Sequence, residues 1–141
     1  MVIRTRLDTL VKIRERAEDG ARLELARAQK RIQLAEAALA EAKARALADH
    51  RRAGTAGDWQ VAEAARSRAL VEVRKAEQAL ALARQKSDEA RQAFEQAHRQ
   101  SEAVKRAAQA KRDEITLQLE RAERKHLDEL AVLQFGRKKG G

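Results

Sequence analysis

No proline occurs among the 141 residues, and apolar side chains recur every three or four positions on both sides of a single short break, Gly54-Thr55-Ala56-Gly57-Asp58. Proline would remove a backbone donor and kink a helix, so its absence leaves two long stretches with nothing to interrupt them. The pattern predicts an all-α chain: a two-helix antiparallel coiled-coil hairpin with an overhanging C-terminal helix. Aromatics are 2% of the residues and charged residues 38%, too few large side chains for a broad core but enough small ones for a narrow seam. Ala, Glu, Lys, Arg and Gln lose little side-chain freedom in a helix, and the regular apolar spacing argues against disorder.

The whole chain, residues 1–141, reads as one hairpin: helix 1 over about 2–52, a turn at 53–58, helix 2 over about 59–135 and a basic tail at 136–141. The first ladder runs Ile3, Leu7, Leu10, Ile13, Ala17, Ala21, Leu25, Ala28, Ile32, Ala35, Leu39, Ala42, Ala46. Its mean step is near the 3.5 residues of a left-handed supercoil, with three successive steps of four around Ala17, Ala21 and Leu25 that should unwind the coil locally. The second starts at Trp59 and Ala62, passes Ala69, Val73, Ala76, Leu80, Ala83, Ala90, Phe94, Ala97, Ser101, Val104 and Ala108, and continues through Ile115, Leu119, Ala122, His126, Leu130 and Leu133. Arg66 and Ser87 are its polar breaks. Gly54 and Gly57 are suited to positive φ, and Asp58 to capping the helix that Trp59 opens.

A short turn makes the helices antiparallel neighbours, and centring it near residue 56 predicts facing residues whose numbers sum to about 111. That register places Ala42 opposite Ala69, Ala28 opposite Ala83, Ala17 opposite Phe94 and Leu7 opposite Val104. The two ladders then coincide. Helix 1, roughly 77 Å long, is shorter than helix 2, roughly 115 Å, which leaves about 27 residues of helix 2 overhanging. From about Asp113 to Phe135 this overhang carries Ile115, Leu117, Leu119, Leu127, Leu130, Val132, Leu133 and Phe135. An apolar helix face left over by the fold calls for a partner.

Net charge is +9. Arg4, Arg6, Lys12, Arg14 and Arg16 near one terminus and Arg121, Arg124, Lys125, Arg137, Lys138 and Lys139 near the other fall at the end opposite the turn. A positive end with a projecting apolar helix suits an acidic collar or an anionic surface. The histidines, His50, His98 and His126, stand apart from any ligand-spaced partner, no pair of carboxylates converges, and no metal, cofactor or catalytic group is expected. Gly54-Thr55-Ala56-Gly57 has GxxG spacing but lacks the sheet that a nucleic-acid-binding loop of that kind needs. Trp59 is either a plug closing the turn or an exposed anchor. No cysteine and no stretch suited to a signal peptide or membrane span is present, which fits a cytoplasmic location.

The basic start with Leu7-Asp8-Thr9-Leu10, Trp59 just after the turn, and Leu127-Asp128-Glu129-Leu130-Ala131 followed by Phe135 and Arg137 resemble the FliJ family of flagellar export proteins. The injectisome stalk proteins of the YscO type are similar in plan. The resemblance implies a non-enzymatic stalk that inserts its terminal end into a hexameric export ATPase and contacts the export gate and export chaperones. Its location would be cytoplasmic, peripheral at the cytoplasmic face of the inner membrane through those partners. It implies ring contacts at Leu7, Leu10, Arg14, Leu127, Leu130, Leu133, Phe135 and Arg137, and gate or chaperone contacts near Trp59, Ala38, Ala42, Ala65 and Ala69. Larger apolar residues are usual on the shaft near the turn in that family; here alanine stands there. A monomer in solution is expected, with a dimer through the overhangs as the other state, and no nucleic acid. The competing reading is a basic coiled-coil adaptor that binds nucleic acid or an anionic membrane surface.

Overall fold

The computed structural model describes residues 3–48 and 54–139, with side chains as far as Arg137. Two helices account for it: α1, Leu7–Leu47, and α2, Ala56–Lys139, packed against each other as an all-α hairpin with no strand among the described residues. Helix 1 therefore starts at Leu7 rather than near residue 2, and helix 2 at Ala56 rather than Trp59. The expected end of helix 1 near residue 52, His50, and the last two residues of the basic tail lie outside the described residues.

Both starts have one cause. Thr5 and Thr55 each precede a helix, with Asp8 and Asp58 three positions on. The Thr5 backbone N–H donates to Asp8 Oδ2 at 2.9 Å, and the Thr55 N–H donates to Asp58 Oδ2 at 2.9 Å. In return the Asp8 and Asp58 N–H groups donate to the Thr5 and Thr55 carbonyls, at 3.1 and 3.0 Å. Each is one half of a capping box, the Asp carboxylate reaching back to the Thr N–H while the turn itself is closed by a backbone bond, and the negative carboxylate also suits the positive end of the helix dipole. Asp58 is thus the third helical residue of a cap whose first member is Thr55, not the cap itself. Neither Gly54 nor Gly57 has positive φ. Gly54 is needed for space instead, because a Cβ there would run into the Asp58 carboxylate.

The chain divides into two compact units, Glu18–Ala97 and Met1–Ala17 with His98–Gly141. In the first, the inward-facing residues of α1 are Glu18, Ala21, Leu25, Ala28, Ile32, Ala35, Leu39, Ala42 and Ala46, in strict alternation of steps of three and four. Those of α2 are Ala62, Ala65, Ala69, Val73, Ala76, Leu80, Ala83, Ser87, Ala90, Phe94 and Ala97. Only Ala28, Ala42 and Leu80 among the apolar ones are fully buried, as expected of a seam two helices wide. Ala42, Ala65 and Ala69 line one small groove of about 260 Å³, so the expected neighbours Ala42 and Ala69 do meet near the turn. Ser87 is buried and belongs to the seam, whereas Arg66 is exposed and Ala65 takes the inward position.

The change of step expected at Ala17 is absent from the burial pattern. Ile13 and Ala17 point outward, and Arg14 and Glu18 occupy the inward positions in their place, continuing the regular alternation back through Val11 to Leu7. Arg14 can lay its apolar stem along the seam while its head reaches out. Glu18, 6% exposed, forms an ion pair with Arg22 at 3.4 Å. Ala17 is therefore not the small partner of Phe94; the half-buried Phe94 ring is instead covered by the Arg22 guanidinium, 5.6 Å from its centroid.

Candidate functional site: the terminal end

In the unit formed by Met1–Ala17 and His98–Gly141, α1 contributes only its first three turns. Leu7, Leu10, Val11 and Arg14 are half-buried, facing Ser101, Val104, Ala108, Arg112 and Ile115 of α2. Ala108 and Ser101 have no exposed surface. Three polar links join the helices here. Arg112 donates to Asp8 Oδ1, Arg14 donates to Gln100 Oε1 at 2.9 Å, and Lys105 pairs with Glu15 at 3.6 Å. The residue numbers of the ion pairs sum to more than the expected 111. Each Cβ leans toward the start of its own helix, and in antiparallel helices the long side chains that meet must come from Cα atoms set further apart along the chain.

The Asp8 carboxylate is the best-held group in the unit. It accepts the Thr5 N–H and the Arg112 guanidinium together, and its pKa is lowered from 3.8, first by the Thr5 backbone hydrogen bond and then by Arg112, against the opposing effect of burial. Tying the cap of α1 to α2 ends the two-helix segment at a defined place. Every residue after Ile115 is exposed as far as Arg137.

That single-helix segment holds most of the expected ring contacts. Leu127, Leu130, Leu133 and Phe135 are 41 to 64% exposed, and Val132 is 71% exposed. Arg137 is exposed as well. Leu7, Leu10 and Arg14, by contrast, face α2 and share no surface with these leucines. Successive residues on a helix turn by about 100°, so Leu127, Val132 and Leu133 look out on three different sides and Leu130 lies between two of them. Among the described residues, no part of α1 covers this end of α2.

Near the turn, Trp59 is 56% exposed and so is not a plug, with Val61 and Leu47 more exposed still. Ala42 is buried and Ala65 and Ala69 are half-buried between the helices, while Ala38 is exposed. Of the residues expected at this end, Trp59 and Ala38 are thus exposed, while Ala42, Ala65 and Ala69 turn toward the other helix. Among the described residues no cluster of three His, Cys, Asp or Glu side chains could hold a metal ion, and no helix is long and apolar enough to cross a membrane. The cap pairs and the Asp8–Arg112 link are the features that apolar spacing does not reveal. Their signal is the repeated Thr-x-x-Asp at Thr5 and Thr55.

The family described as Flagellar FliJ protein matches residues 3–140, nearly the whole chain. No curated protein and no solved structure matches it. The chain belongs to the FliJ family, non-enzymatic components of flagellar protein export.

Proposed function

We propose that this protein is a stalk whose single-helix end, beyond Ile115, inserts into the ring of the flagellar export ATPase. The observation that carries the reading is the distribution of Leu127, Leu130, Val132 and Leu133 around the circumference of an exposed helix. A helix apolar along one stripe pairs with one other helix; apolar side chains set on several sides of a charged helix are covered together only by a partner that surrounds it. A ring with an apolar bore supplies such an enclosure, and a flat surface does not. The chain is then held at the cytoplasmic face of the inner membrane by its partners. The turn end, with Trp59 and Val61 exposed, is left for the export gate and the chaperones.

Leu130→Asp combined with Leu133→Asp tests the reading. Both positions are exposed in the free chain, so helicity by circular dichroism is expected to stay as in the parent. Binding to the export ATPase is expected to fall at least about tenfold, since each leucine enclosed by a partner contributes on the order of 1.5 to 3 kcal/mol. Unchanged binding by the double variant contradicts insertion of this end.

A further inference from the structure

Charge and apolar surface are separated along the terminal unit. Residues 3–16 and 98–112 carry ten Lys and Arg side chains against three carboxylates, whereas 113–139 carry six carboxylates against six Lys and Arg. The positive charge is thus on the two-helix shoulder, and the projecting helix is balanced in charge. Several shoulder cations are neutralised within the fold, as Arg112 is by Asp8 and Lys105 by Glu15 and Glu102. Arg4, Arg6, Lys12, Arg16, Arg99 and Arg106 are exposed and take part in no ion pair among the described residues. They lie on more than one side. Arg106 borders a groove of about 320 Å³ that also holds Val11 and Ala108, and Arg4 and Lys12 border a second of about 500 Å³ beside Thr9. Like charges gathered without counter-charges repel one another, and the arrangement is favourable only when a partner brings the opposite sign.

We propose that this basic shoulder docks on an acidic protein rim at the mouth of the ring that encloses the projecting helix, and that the shoulder governs the rate of encounter while the leucines govern how long the complex lasts. The inference rests on the ring reading above. A protein rim fits better than an anionic membrane or a nucleic acid, because the helix that must travel with the shoulder is balanced in charge and exposes Leu127, Leu130, Val132 and Leu133 on several sides. A flat membrane surface covers one side of such a helix, and nucleic acid has no apolar bore for Leu130 and Leu133. Steering by separated charge raises association rates and decays with salt, whereas desolvated apolar contacts set dissociation.

The test compares the full chain, the charge variant Lys12→Glu/Arg16→Glu/Arg106→Glu and the leucine variant Leu130→Asp/Leu133→Asp. Association and dissociation rates with the export ATPase are measured at low and high salt, with circular dichroism confirming the helices. The charge variant is expected to associate at least about tenfold more slowly at low salt, to converge with the parent at high salt and to dissociate at the parent's rate. The leucine variant is expected to dissociate faster. Equal association rates for parent and charge variant at both salts, with the leucine variant still impaired, overturn the acidic rim and leave the ring reading standing. Failure of the parent chain to bind at all overturns both. Binding of the parent to phosphatidylglycerol vesicles or duplex DNA that the charge variant loses, with ring association unaltered, assigns the shoulder to a polyanion and overturns the proposal.

Discussion

Asp8 and Arg112 are joined across the hairpin, and the same Asp8 carboxylate accepts the backbone N–H of Thr5, so the start of α1 is fastened to α2 through a single side chain. The carboxylate form is required for both bonds. Because its folded pKa lies below 3.8, Asp8 contributes stability that is fully present above that value and is lost as pH falls through the lower folded value. Protection of the amides in the first two turns of α1, measured against the intrinsic exchange rate at each pH, is expected to fall as the solution is acidified below pH 3.8. Asp8→Asn should show the lower protection already at neutral pH and lose that part of the acid dependence.

Ser101 offers a gain in stability. It has no exposed surface, and its Oγ finds no partner in the seam. Ser101→Ala removes a buried hydroxyl that must give up water without compensation, and the small methyl side chain fits where Ala108 already packs. An increase of about 1 kcal/mol in unfolding free energy is expected from thermal or urea unfolding, and a loss of that size contradicts the placement of Ser101 in the seam.

The glycines separate two effects. Gly20 lies inside α1 with nothing within 4 Å of the place a Cβ would take, so Gly20→Ala should stabilise by about 1 kcal/mol through helix propensity alone. Gly54→Ala should do the opposite, because the new methyl group meets the Asp58 carboxylate that caps α2. Thermal unfolding of the two variants is expected to move in opposite directions.

Much of this architecture is readable from spacing, and the misreadings share one origin. Alanine is common on every face of both helices, so apolar identity alone does not distinguish a seam position from its neighbour. Ile13 and Ala17 look like seam residues in the sequence, yet Arg14 and Glu18 hold those positions because the supercoil keeps its step through Val11, Ala21 and Leu25. The same ambiguity makes Ser87 look like an interruption and Arg66 like a member of the ladder. Capping is legible only in part: Asp58 is recognisable as a helix-start residue, but the partnership with Thr55, repeated at Thr5 and Asp8, depends on two backbone donors that spacing does not display. For the terminal end, the overhang follows from the unequal helices. That Leu7 and Leu10 turn inward while Leu127 and Leu133 turn outward depends on which turns of α2 have α1 beside them.

The single helix beyond Ile115, proposed to engage the ring, can be removed without touching the hairpin. Truncation after Ile115 keeps the Asp8–Arg112 link and the whole two-helix seam while removing every exposed leucine of the terminal end. ATP hydrolysis and hexamer formation by the export ATPase, measured with the full chain and with this truncated chain, form the most direct test. Stimulation by the full chain and none by the truncated one is expected; equal stimulation by both, or none by either, contradicts insertion of this end.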